Sequence, residues 1–154
     1  VMGWYLVCCK RGKIEQAKTT LSLLGVRTFF PMMRIEKKRK DSGGVRVKIE
    51  PMFQPYLFVE FDPLEVNISS VNSSPGVSYF VRYGDEPRAL PKALIDALMI
   101  QTYTQIAPAD AEVQDEKYLE LKERLKSLIT NENTIKRTYA FLALLDELLN
   151  ETRH

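Results

Sequence analysis

Glycine stops at Gly84 and proline at Pro108, although the chain runs to residue 154. Residues 109–154 therefore lack the two residues that most readily break a helix, and the positive-φ glycines that tight β-turns require. Histidine is almost missing too, since His154 is the only one. That argues against catalysis by an imidazole base, and with only two cysteines the soft ligands are too few for zinc. Cys8 and Cys9 are adjacent in an apolar run, point to opposite faces of a strand and cannot readily bridge each other. Nothing argues for an oxidising compartment, so the cytoplasm is the expected location. No apolar run reaches the length of a membrane span, and no signal-peptide pattern opens the sequence. No glycine loop that could cradle a phosphate and no nucleophile–base pair is present, so neither an enzyme nor a cofactor is expected.

What is present is an uneven distribution of charge and a surplus of leucine. Residues 1–108 hold 15 basic and 10 acidic residues, net +5, whereas 109–154 hold 7 and 10, net −3. A basic body with an acidic tail suits an anionic partner for which the tail could compete. Trp4–Cys9 reads as a strand, and Ile14, Ala17, Leu21 and Leu24 recur at helical spacing before the stop at Gly25. Val26–Met33 is β-prone. A basic arm, Arg34–Lys40, then turns at Asp41–Gly44 into a return arm, Val45–Glu50, which predicts a β-hairpin whose cationic tip faces solvent, with salt-sensitive contact to upstream duplex DNA as the functional alternative. Tyr56–Phe61 is the strongest strand pattern, and Asp62-Pro63 reads as the start of a short helix. Gly76–Tyr83 predicts another strand, and Pro91 opens a helix with Leu94, Ile95, Leu98 and Met99 on one side. The order implies an α+β sandwich, with helices on one face of an antiparallel sheet. Residues 1–100 form the first domain, 101–114 a polar linker and 115–154 a helical hairpin.

The hairpin has more apolar surface than two helices can hide in each other. Tyr118, Leu121, Leu125, Leu128 and Ile129 form one stripe, and Asn131 and Asn133 mark a turn and an N-cap. Beyond it, Ile135, Tyr139, Phe141, Leu142, Leu144, Leu145, Leu148 and Leu149 sweep an arc of about 220° at 100° per residue. At about 25 cal/mol per Å² of apolar surface, such a face must dock on something. Alternation in Tyr56–Phe61 sends Leu57, Val59 and Phe61 to the core side, and Tyr56 and Phe58 to the other. With Phe53 and Tyr83, these rings make an aromatic patch that could receive the helix.

Several segments resemble one family. Trp4-Tyr5, Cys9-Lys10-Arg11-Gly12, Phe30-Pro31-Met32, Glu50-Pro51-Met52-Phe53, Pro55-Tyr56-Leu57-Phe58-Val59 and Pro75-Gly76-Val77 look like the N-terminal domain of NusG-type transcription elongation factors, over about residues 3–100. The operon-specific RfaH subgroup is the most similar. The resemblance implies an α/β sandwich that binds the clamp helices of the largest RNA polymerase subunit through Phe53, Tyr56, Phe58 and Tyr83. It implies a polar loop, Asn67-Ile68-Ser69-Ser70, reaching the opposite side of the polymerase. It also implies a helical C-terminal hairpin that masks the clamp site through Leu125, Ile129, Phe141, Leu144 and Leu145, with a Glu50–Arg137 interdomain ion pair.

The departures from that subgroup matter as much. Lys10, Arg11 and Lys13 are the candidates for binding the non-template DNA strand. Gln16 and Thr20 replace a basic and an aromatic residue of the subgroup, and Pro75 replaces an arginine, which argues against recognition of the same DNA signal. The subgroup's C-terminal domain refolds into a β-barrel that recruits the ribosome. The glycine-free tail argues against both here. The expected species is a monomer. Two alternatives stay open: a permanently closed lid on an inert fold, and a sandwich that stacks single-stranded nucleic acid on Tyr56 and Phe58.

Overall fold

A computed structural model describes residues 1–41, 43–101 and 116–151. The expected linker lies, apart from Gln101, outside the described residues, as does His154. Four antiparallel strands form the central sheet. They are β1 (Gly3–Cys9), β2 (Arg27–Phe29), β5 (Tyr56–Phe61) and β6 (Val77–Phe80), in the order β2-β5-β1-β6. Between β2 and β5 in the chain, β3 (Met32–Lys38) and β4 (Val45–Pro51) form a separate two-stranded hairpin. The expected strand to Tyr83 divides: after Phe80 the chain leaves the sheet and β7 (Arg82–Tyr83) pairs with β8 (Glu86–Pro87), a strand too short to show any alternation.

Alternation along β1 and β5 gives the sheet two apolar faces. Leu6 lies opposite Phe58 in the β1–β5 ladder, and Val7 lies opposite Leu57. Leu57, Val59 and Phe61 pack with Tyr5, Val7 and Phe80 beneath α1 (Ile14–Leu23) and α2 (Ile68–Asn72). Leu6 and Phe58 face the other way. There they meet Leu94, Ile95 and Leu98 of α3 (Lys92–Gln101), together with α4 (Glu116–Ile129) and α5 (Thr134–Glu151). The tail helices take the second face as expected; what changes is α3, which lies on their side and not with α1 and α2. A sheet made of near-continuous apolar strands must be covered twice.

Two local expectations change. Asp62-Pro63 opens a turn rather than a helix: Asp62 Oδ1 accepts the Leu64 N–H at 2.9 Å, and the helix begins only at Ile68. The competing side-chain bond satisfies the backbone donor that a helix start would have needed capped. In α1, Ala17 and Leu21 are buried, but Leu24 lies past the last turn and is exposed.

Gly76 explains how α1 seats on the sheet. Its φ is +95°, and a Cβ there would lie 2.6 Å from Ala17 N and 2.8 Å from Lys13 O. Only glycine permits that approach. The Lys10 N–H donates to Gly76 O at 2.9 Å, and the Thr20 hydroxyl donates to Pro75 O at 2.8 Å.

Candidate functional site

The aromatic patch lies under α5. Phe53 stacks on Phe141, with ring centroids 4.1 Å apart and planes 9° from parallel. Phe58 meets the same ring edge-on at 5.8 Å. Both sheet-domain rings are fully buried, as are Phe141, Leu144 and Leu145 of α5 and Leu125 of α4. Ile129 is half-buried on the same cluster. Tyr56 and Tyr83 are only half-buried. Beside Tyr56 the seam stays open as a cavity of about 270 Å³, lined also by Pro55, Ile135, Thr138, Tyr139 and Leu142. Burial, and to a lesser degree the nearby Asp146 carboxylate, pushes the Tyr83 hydroxyl up to about 12.

The apolar arc of α5 is buried from the Leu144 edge round to Leu149 and left open at the other edge. Ile135 and Tyr139, at one side, stay 67% and 69% exposed. The first turns instead bury Arg137 completely. A buried guanidinium is tolerable only when its donors are matched, and this one is. Its Nη2 donates to Glu50 Oε1 at 3.0 Å and to Pro51 O at 3.2 Å, its Nε to Met52 O at 3.0 Å, and its Nη1 to Asn131 O at 2.8 Å. Glu50 sits at the root of β4 and is held on its far side by Lys48 at 3.6 Å. Thr134 donates to the same Glu50 oxygen at 3.3 Å. The turn before α5 is built by two asparagines. Asn131 Oδ1 accepts the Asn133 N–H, and Asn133 Oδ1 caps the helix by accepting the Lys136 N–H at 3.1 Å.

Residues 2–99 match the sequence profile of the family described as "Transcription termination factor nusG". The chain belongs to the NusG family. A solved structure titled "Domain interaction in Thermotoga maritima NusG" is similar at 20% identity and a TM-score of 0.40, over 66% of this chain. The match spans 57% of that protein's chain.

The other sequence-derived candidates of this NusG-family chain stand apart from the aromatic face. Lys10, Arg11 and Lys13 are exposed on the turn between β1 and α1. Thr20 and Pro75, the two replaced positions, are joined by the hydrogen bond that ties α1 to the β6 turn. Asn67, Ile68, Ser69 and Ser70 form the N-terminal end of α2 rather than a loop, with Asn67 and Ser69 exposed. Among the described residues, no cluster of His, Cys, Asp or Glu could hold a metal ion, and no helix is long and apolar enough to cross a membrane.

Sequence reasoning missed Arg88. From the segment before α3, its Nη1 donates to the carbonyl of Leu149 at 2.7 Å, in the last turn of α5. That turn carries no basic side chain of its own. An arginine from the sheet domain thus satisfies a terminal carbonyl and meets the negative end of the helix dipole. The available signal was an 18-residue helix whose last turn has no basic side chain of its own. Arg124 and Glu147, at 2.6 Å, join α4 to α5 on the exposed side.

The Glu50 contact sets a pH dependence. Partial burial raises its pKa, but the hydrogen bond and charge of Arg137, helped by Lys48 and Thr134, outweigh this and hold the carboxyl below its ordinary value. A depressed pKa in the docked state stabilises docking above the free value, about 4.3, and that contribution is lost as pH falls through the depressed one. The Arg137 Nε–H signal in NMR is expected to be constant across neutral pH and to broaden only once pH falls below the ordinary carboxylate range.

Proposed function

We propose that this chain is an RfaH-type member of the NusG family: a transcription elongation and antitermination factor, autoinhibited by its helical tail. The observation that carries the reading is the burial of Phe53 and Phe58 beneath Phe141. Two large rings of a sheet face are kept from water by a separate helical unit, so a partner for that face must displace α5. The partner in this reading is the clamp-helix region of the largest RNA polymerase subunit, contacted by Phe53, Tyr56, Phe58 and Tyr83. Asn67–Ser70 contact the opposite side, and Lys10, Arg11 and Lys13 meet the non-template strand. Binding both sides of the polymerase favours its closed, processive state by differential affinity and needs no covalent chemistry.

Removing residues 105–154 is expected to tighten binding to a clamp-helix fragment, measured by titration calorimetry against the whole chain. Equal affinities would refute the masking. A second reading, a lid that never opens, draws on the glycine-free tail and on the Arg88 brace at the far end of α5. Stacking of single-stranded nucleic acid on Phe58 is disfavoured, because that ring is fully buried with α5 in place.

A further inference from the structure

The hairpin of β3 and β4 carries charge that the aromatic face does not use. Residues 34–48 hold seven basic and two acidic side chains, net +5, while the whole chain is only +2; everything outside the hairpin therefore sums to −3. The register sets Lys37 directly opposite Arg46, and Ile35 opposite Lys48. With the two-residue alternation of strands, Lys37, Arg39, Arg46 and Lys48 share one face. Like charges directly opposite each other destabilise a strand pair. Acids do little to offset them here. Arg34 pairs with Glu36 and Lys48 with Glu50, but Lys37, Lys38, Arg39, Lys40 and Arg46 have no ion pair among the described residues.

The hairpin is also open. Residues 36–41 and 45–49 are exposed with α5 fully docked. A recess of about 660 Å³ is lined by Lys37, Lys38, Arg39, Lys40, Asp41 and Arg46, and a smaller one of about 140 Å³ lies between Lys37, Arg46 and Lys48. A cationic recess retained at a cost in stability, on a surface the tail leaves bare, fits a polyanion.

We propose that this face of the hairpin binds the phosphate backbone of double-stranded DNA without reading its sequence, and does so while α5 still covers Phe53 and Phe58. Lysine and arginine are the side chains that contact phosphate oxygens. Residues 34–48 contain no aromatic side chain, so the stacking by which single strands are held is missing. The exposed apolar residues Val45, Val47 and Ile49 lie on the opposite face of the ribbon, so the four-cation face has no apolar group but half-buried Ile35 to insert into a bilayer.

The whole chain is titrated into a fluorescent duplex of about 30 base pairs, at several salt concentrations, and anisotropy is read. Four phosphate contacts predict a slope of log K against log salt of about −3.5. Lys37→Glu with Arg46→Glu is expected to lower affinity at least tenfold at about 100 mM salt and to halve the slope. Lys48 is left alone because it also holds Glu50. Lys37→Gln with Arg46→Gln, a milder pair, is expected to weaken binding in the same direction if charge reversal disturbs the hairpin. Lys10→Glu with Arg11→Glu serves as the comparison. Binding that survives both hairpin pairs but is lost in the comparison would overturn the proposal, as would binding to phosphatidylserine vesicles in preference to the duplex. Hydrogen exchange in 134–149 is expected to stay slow in the DNA complex. Loss of that protection on binding would overturn DNA capture in the closed form. No polymerase enters the experiment, so its outcome is independent of whether the aromatic face binds one.

Discussion

Replacing Phe141 by alanine is expected to open α5 more than any other single change. The ring is fully buried, stacks face to face on Phe53 at 4.1 Å and meets Phe58 edge-on at 5.8 Å. Losing a buried phenylalanine typically costs about 3–5 kcal/mol, because the rigid rings on the sheet side cannot collapse into the space left behind. The cost falls on docking, since Phe53 and Phe58 belong to the sheet domain and Phe141 to the tail. At about 1.4 kcal/mol per decade, the undocked population should rise two to three and a half decades. Hydrogen exchange of amides 134–149 reads this directly as a lower opening free energy. Amides of β1 and β5 should keep their protection. If both sets lost protection together, the two parts would unfold as one unit and the tail would not be a separable cover.

Replacing Glu50 by alanine is expected to have the next largest effect, and for a different reason. Arg137 is fully buried, and Glu50 is its only anionic partner among the described residues. Breaking a buried pair by removing one member costs about 3–5 kcal/mol, since the remaining charge stays desolvated. Here the lower end applies. Arg137 keeps the carbonyls of Pro51, Met52 and Asn131, so its charge loses the carboxylate but not all of its acceptors. About 3 kcal/mol raises the open population roughly a hundredfold. The reverse change, Arg137→Met, keeps the volume and leaves Glu50 beside Lys48, and is expected to open α5 less. The comparison separates desolvation from packing. A permanent lid predicts that Glu50→Ala leaves exchange in α5 unchanged.

The relative sizes follow from burial. Five apolar side chains of α5, Phe141, Leu144, Leu145, Leu148 and Leu149, are buried against the sheet domain and α4. At about 1.5–3 kcal/mol each, they outweigh one ion pair, even after the part shared with α4 is set aside. The latch therefore selects the docked register and tunes its strength; the apolar face holds it.

Much of this was legible in order along the chain. The hairpin arms, the strand Tyr56–Phe61, the helix after Pro91 and the helical tail follow from alternation, helical spacing and the missing glycines. The two faces of Tyr56–Phe61 followed from alternation alone. Other features were not legible, because they depend on partners far away in sequence. The family resemblance offered Arg137 its partner Glu50, but not the carbonyls of Pro51, Met52 and Asn131 that converge on the same guanidinium and let it be fully buried. Arg88 reads as one more loop cation until the end of α5 arrives. Ile135 and Tyr139 belong to the apolar arc by angle, yet stay exposed, flanking the open recess beside Pro55 and Tyr56 instead of closing on it.

What the chain's own order of residues determined is which side chains seek burial and which backbone conformations are open, since both are local properties of spacing, glycine and proline. That made the tail helical and gave it a surplus apolar face. Which surface took that face, where it ended, and which charges were buried with it were decided only in three dimensions. Docking is a matter of fit between two assembled surfaces, and neither surface exists until its own elements have packed.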